Sequence, residues 1–373
     1  MSSGKGLLTI WLGALAAGIL LGLFTAVRLF TEGHVLFNTS DVVIWTLPLG
    51  AYVGLALTSS GLSMIAGIPL VFGVSDYEPM AKRLVFLAIA TLAGAFVAIG
   101  LELGSLHHMF YLILSPNPSS PIWWMGALYG VELVLLSLKF WRMHQGDAHS
   151  PLSKGLGVAS FLCAVFAALI LGAVFGITEA RPTFFGSFMS AYCLVVAFVS
   201  GLAAFILYSM VYHQVSTGSV PRTEAPLYNG LARMFAFSMG IALLFYVLSL
   251  AIKTATTFPD FGTDVHFQLL LALIVPYALM MIPSVRETTW GKTTASAIAL
   301  LSILGMHMEV LLAGQVRPVG PKAEGLAEFV KYSPSIYEWL VLVFALSVIL
   351  LLYTLGERYL SLNGQTNRAG AFS

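Results

Sequence analysis

Leu156-Gly157-Val158-Ala159-Ser160-Phe161-Leu162-Cys163-Ala164-Val165-Phe166-Ala167-Ala168-Leu169-Ile170-Leu171-Gly172-Ala173-Val174-Phe175-Gly176-Ile177 runs for 22 residues without a charged side chain. At 1.5 Å per residue, a helix of that length crosses the roughly 30 Å hydrocarbon core of a bilayer. Lipid offers no partner for a free N–H or C=O, so the segment must satisfy its own backbone, as a helix does. It lacks the strict alternation of apolar and polar residues that a barrel strand would show.

Outward from this stretch the pattern repeats along the chain. Ten segments qualify as spans: 7–29, 43–71, 84–106, 122–139, 156–177, 188–211, 231–252, 267–282, 293–313 and 337–359. The eighth is the shortest and contains Pro276. Composition agrees, with 58% hydrophobic and 9% charged residues in 373, against about 25% charged in soluble domains. The expectation is an all-α integral membrane protein of about ten transmembrane helices. The first segment is read as a retained span, not a cleaved signal peptide, because it is long and has no small-residue cleavage site. Net charge is +1, which gives no basic face for a nucleic acid. Cys163 and Cys193 lie in apolar runs outside any CxxC, so an intrinsic iron–sulfur cluster, a zinc site or a disulfide framework is not expected.

With the N-terminus inside, 12 of the 18 Lys and Arg fall on the inner side, and Arg28, Arg181, Lys253, Arg317, Lys322 and Lys331 fall outside. The positive-inside rule then puts both termini in the cytoplasm and the loop 107–121 outside. Ala51-Tyr52 followed by Ser60-Gly61-Leu62 recurs as Ala191-Tyr192 followed by Ser200-Gly201-Leu202 at the same spacing. Both copies enter from outside, so the repeat is parallel. The organisation expected is a first helix (7–31), a four-helix bundle (43–177), a second (186–314), an outer loop (315–335) and a last helix (336–360), all in one membrane domain.

Ionisable residues inside a bilayer are costly and mark function by default. Few qualify: Glu102 near the outer end of the third segment, Glu132 in the fourth, and His307 and Glu309 in the ninth. Lys253 closes the seventh, and Glu179 and Arg181 flank the fifth. Glu132, Lys253, His307 and Glu309 are the candidates for a proton path, each with a structural role as the alternative. His107 and His108 close the third segment at the outer interface, ahead of an aromatic pair, Trp123-Trp124, of the kind that forms an interfacial belt. A carboxylate just before two imidazoles supplies proton donors and acceptors near neutral pH. A bis-histidine haem would need His307 paired with His107 or His108, because the other histidines lie in loops or at helix ends; it is not expected.

Several stretches resemble the NrfD-type family, the membrane subunits of polysulfide reductase and related respiratory complexes. The first is Trp45 through Pro48-Leu49-Gly50-Ala51-Tyr52, Ser60-Gly61-Leu62, Val71-Phe72-Gly73-Val74 and Tyr77-Glu78-Pro79-Met80-Ala81-Lys82-Arg83. Leu101-Glu102-Leu103-Gly104 running to Asn117-Pro118-Ser119-Ser120-Pro121 is the second, and Gly314-Gln315 the third. Tyr332-Ser333-Pro334-Ser335 with Glu338 is similar to the start of the final helix in the ten-helix branch.

The resemblance implies a subunit that binds menaquinone or ubiquinone near one membrane face, in a prokaryotic cytoplasmic (inner) membrane. Electrons would pass to or from a docked four-cluster iron–sulfur protein, itself joined to a molybdopterin enzyme, a hydrogenase or a multihaem cytochrome. By position the family's quinone pocket selects Trp45, Tyr52, Glu102, His107, His108 and Tyr129, with Glu102 as proton acceptor. Many relatives carry Asp at the position of Glu102 and an Arg in the ninth segment, where this chain has His307-Met308-Glu309. A secondary transporter and a passive membrane anchor are the competing readings.

Overall fold

The computed structural model describes residues 2–179, 185–256, 273–316, 318, 323–327 and 329–362. Nine helices among the described residues are long and apolar enough to cross a membrane. In chain order they are α1 (Ser2–Glu32), α2 (Leu47–Leu70), α3 (Glu78–Glu102), α4 (Pro121–His144), α5 (Pro151–Gly176), α6 (Phe188–Ser216), α7 (Ala225–Thr256), α8 (Thr289–Ala313) and α9 (Ile336–Tyr359). Of the expected eighth segment, residues 267–272 lie outside the described residues, and 273–281 are helical. No strand occurs among the described residues, so the protein is the all-α integral membrane protein that the sequence implies.

Local chemistry sets where several helices start. Pro48, Pro79, Pro121 and Pro151 stand in first turns, where a missing N–H costs nothing. Ser150 and Thr288 accept from the Ser153 and Gly291 amides at 3.2 and 2.9 Å, and Ser335 with Glu338 forms a capping box on α9. Lys82 Nζ donates to the Leu360 and Ser361 carbonyls at 3.1 Å each, a cation just past the C-terminal end of α9.

Lipid tails are as apolar as leucine, so burial alone does not hold such helices together; close packing of small residues and polar contacts do. At the centre, α2 crosses α6 at Gly61 and Gly201. A Cβ on Gly61 would strike the Ala197 carbonyl, and one on Gly201 would strike the backbone of Gly61 and Leu62. The two glycines aligned by the sequence repeat therefore touch each other. On another face of α2, Gly50 and Gly54 admit Met308 and His307 of α8.

Helix α1 packs on α9 through Trp11 Nε1 to Thr354 Oγ1 (3.1 Å), Gly18 against Ser347 and Gly22 against Phe344. Those pairs run in opposite senses, so the helices are antiparallel, and α1 begins at the end where α9 finishes. At that end Arg83, 3% exposed, is ion-paired to Glu224 and, at 2.8 Å, to Glu357. His213 lies 3.4 Å from Glu224 and 3.3 Å from the Tyr228 hydroxyl. Lys139 donates to Ser153 and to the Ala148 carbonyl, and Arg142 pairs with Asp147. We call this the basic end.

Candidate functional site

The opposite end holds the first turn of α2, whose leading amides have no acceptor within the helix. Side chains from distant parts of the chain supply acceptors there. The Thr46 amide donates to Glu102 Oε1 at 3.1 Å, and the Thr46 hydroxyl lies 2.9–3.0 Å from both carboxylate oxygens. The Leu47 amide donates to the Tyr332 hydroxyl at 2.9 Å. Gln315 Oε1 accepts from both the Ile44 and Trp45 amides at 2.8 Å, while its Nε2 donates to the Trp45 and Leu311 carbonyls. Glu338, fully buried, accepts from the Asn38 amide at 3.2 Å. His34 Nε2 lies 3.1 Å from the Leu101 carbonyl, beside Glu102. Burial, with the nearby Glu338 and Glu102 carboxylates, pushes the Tyr332 phenol up, so it stays a neutral hydroxyl.

The segments around Trp45, Glu102, Gln315 and Tyr332–Glu338, far apart in sequence, thus meet around one helix start. A carboxylate there is stabilised by the positive end of the α2 dipole as well as by Thr46.

The expected pocket residues separate into two depths. Trp45, 38% exposed, sits edge-on to Phe175 with ring centres 6.2 Å apart, and Glu102 is half-buried. His107 and His108 are exposed on the 3-10 turn Leu106–Phe110, their rings 4.2 Å apart, with His108 packed 5.5 Å from Tyr111. Neither imidazole is hydrogen-bonded to Glu102 among the described residues; Thr46 holds that carboxylate instead.

Tyr52 and Tyr129 are interior, 3% and 0% exposed, with rings 6.3 Å apart. Six residues beyond Thr46, Tyr52 lies about 9 Å deeper along α2. Its neighbour Tyr129 shares α4 with Glu132, also fully buried. Ser60 Oγ donates to Glu132 Oε2 at 3.0 Å, and Glu132 Oε1 has no hydrogen-bond partner among the described residues.

On the far side of α2, His307 is 3% exposed and neither ring nitrogen has a partner among the described residues. It lines a cavity of about 10 Å³ with Val53, Phe175, Tyr192 and Cys193, the size of a single water. Glu309, 6% exposed, accepts from the Tyr246 hydroxyl at 3.2 Å. The Lys253 side chain lies outside the described residues, as does Arg181; Glu179 is exposed. Among the described residues no group of three or more His, Cys, Asp or Glu is placed to hold a metal ion.

Thr46, His34, Gln315, Tyr332 and Glu338 belong to the site although sequence reasoning gave none of them a role in it. Gln315, Tyr332 and Glu338 lay inside stretches that carry a resemblance. Thr46 lay inside the first such stretch too, and is a helix-capping residue type just before Leu47-Pro48. Nothing in the sequence connects His34 to Leu101.

The sequence pattern of the family described as "Polysulphide reductase, NrfD" matches residues 35–319, about three quarters of the chain. The chain belongs to the NrfD family. Among its curated relatives is the Hdr-like menaquinol oxidoreductase integral membrane subunit of Archaeoglobus fulgidus. The two are 23% identical over 332 residues, covering 83% of this chain and 82% of the relative. Another relative is a subunit of the selenate reductase of Mesobacillus selenatarsenatis, 21% identical over 385 residues, with 87% of each chain covered. The convergence around α2 therefore occurs in an NrfD-family membrane protein whose relatives include subunits of oxidoreductase complexes.

Proposed function

We propose that this NrfD-family chain is the quinone-reactive membrane subunit of a respiratory oxidoreductase, exchanging electrons between the menaquinone or ubiquinone pool and a docked iron–sulfur protein. The observation that carries this reading is a carboxylate, Glu102, held at the start of α2 by Thr46, with an exposed indole next to Thr46 in sequence and two exposed imidazoles five and six residues after Glu102. That donor and acceptor set fits a quinone, which needs polar groups for two carbonyl oxygens and an apolar wall for its ring. Trp45 against Phe175 supplies such a wall.

A bound quinol supplies two electrons and two protons when it is oxidised. In this reading Glu102 takes one proton, with Thr46 fixing the acceptor oxygens, and His107 or His108 passes protons to the adjoining water phase. Gln315 anchors the backbone on either side of Trp45 and so sets the position of the indole. Tyr52 and Tyr129, deeper along α2 and α4, complete the quinone-binding set, and Glu132, Lys253, His307 and Glu309 are the candidates for a proton path. The iron–sulfur partner docks over the loop 107–121, and would connect to a molybdopterin enzyme, hydrogenase or multihaem cytochrome. The inferred setting is a prokaryotic inner membrane, with both termini and the basic end in the cytoplasm.

The test is quinol-dependent electron transfer in the purified complex carrying Glu102→Gln. The amide oxygen still accepts from Thr46, so assembly is retained, while turnover falls by about 10²–10⁴-fold, the usual contribution of one acid–base group. Unchanged turnover in an assembled complex would reduce the chain to a passive anchor.

A further inference from the structure

On the lipid-facing side of α7, a cleft of about 580 Å³ is lined by Arg233, Phe237, Gly240, Leu244, Tyr277 and Arg286, among others. Its two arginines stand at the basic end, Arg233 two turns into α7 and Arg286 just beyond the helical stretch 273–281. Above them the walls are apolar and open outward: Phe237 is 72% and Leu244 57% exposed. The volume is in the range of clefts that hold small molecules.

What sets Arg233 and Arg286 apart at this end, where Lys154, Arg222 and Arg358 also form no ion pair among the described residues, is that both line one cleft. Arg83 is matched by Glu224 and Glu357, Arg142 by Asp147, and Lys139 and Lys292 by carbonyl or hydroxyl oxygens. Arg233 and Arg286 form no ion pair among the described residues. Arg286 Nη1 donates to the Met280 carbonyl at 3.0 Å, which fixes the guanidinium at the rim, and its Nε is buried without a partner. Two guanidiniums without an ion pair among the described residues, at the mouth of one apolar trough and at headgroup depth, are complementary to one occupant: a phosphate with acyl chains attached.

We propose that this cleft binds an anionic phospholipid of the leaflet at the basic end. Its phosphate lies between Arg233 and Arg286, and an acyl chain runs over Gly240 and along Phe237 and Leu244. Gly240 is the floor: a Cβ there would lie 3.2 Å from the Tyr277 ring, so a large side chain would fill the trough.

The experiment is native mass spectrometry of the full-length chain in mild detergent, titrated separately with phosphatidylglycerol and phosphatidylcholine. Wild type retains phosphatidylglycerol in preference, and the preference weakens as salt rises. Arg233→Gln/Arg286→Gln lowers that retention about tenfold or more, the order expected for two juxtamembrane charges, and Arg233→Lys/Arg286→Lys restores most of it. Gly240→Phe, with both arginines in place, lowers it too. Equal retention of the two lipids by wild type overturns the site, and that measurement needs no variant. So does undiminished binding in the double Gln variant, or in Gly240→Phe, which would leave only surface attraction. Displacement of phospholipid by added menaquinone at equal concentration would also overturn it and make the cleft a quinone site.

Discussion

Glu102, half-buried, and His307, buried, show how differently two ionisable side chains can be held. Both oxygens of Glu102 face Thr46, whereas neither nitrogen of His307 has a hydrogen-bond partner among the described residues and the ring lines a cavity of about 10 Å³. An unpaired buried polar group costs about 1–3 kcal/mol, so His307→Phe should hold or raise the unfolding temperature in detergent. If the imidazole carries protons, the same variant slows quinol turnover, and a fall in stability instead would reveal a partner for the ring. Ser60→Ala removes the one hydrogen bond to Glu132 Oε2 among the described residues and is expected to destabilise by about 1–3 kcal/mol. At this scale the sequence identified which residues are ionisable and in a span, because charge in an apolar run is visible in one dimension. It did not reveal that Thr46, not His107 or His108, contacts Glu102, because that pairing depends on how α2 and α3 lie together.

Among the elements, α2 and α6 are defined by what they lack. Their crossing depends on two bare backbones, so Gly61→Ala should cost about 1–3 kcal/mol or more through forced separation. Gly130→Ala on α4, where a Cβ meets nothing within 4 Å, should be neutral or slightly stabilising. Thermal unfolding of the two variants in one detergent checks the contrast, and equal losses would mean that the crossing tolerates a methyl group. The helices were legible because length and hydropathy decide a span. The recurrence of Ser-Gly-Leu signalled a pair of related helices, but similarity cannot say that the two glycines touch. Residues 106–114, read as span and loop, form a 3-10 turn and one short helical turn, which hydropathy does not distinguish.

The whole molecule is tied at the basic end by Arg83, which joins α3 to Glu224 before α7 and to Glu357 on α9. Removing a buried partner strands the remaining charges, so Arg83→Met should cost about 3–5 kcal/mol. Burial alone would raise the Glu224 carboxyl, yet the bonds from His213 and Arg83 outweigh it and hold the group at about 2, below its ordinary 4.5. A depressed value means that the stabilisation is fully present above pH 4.5 and is lost as pH falls toward 2. Wild type should therefore lose more unfolding temperature over that window than Glu224→Gln, and equal acid sensitivity would show that the tie is not what acid breaks. Sequence charge counting located this end but not the tie, since Arg83, Glu224 and Glu357 are separated by more than a hundred residues at each step.

The family pattern ends at residue 319, whereas Tyr332 and Glu338 lie beyond it and accept the amide protons of Leu47 and Asn38. A chain truncated after the matched region would keep the family pattern and leave those two amides without their acceptors. The segment that leads into α9 is therefore a late-arriving keystone, set by residues that leave the ribosome after the α2 start they complete. Until it inserts, the start of α2 is unfinished, and so is the cradle that positions Glu102.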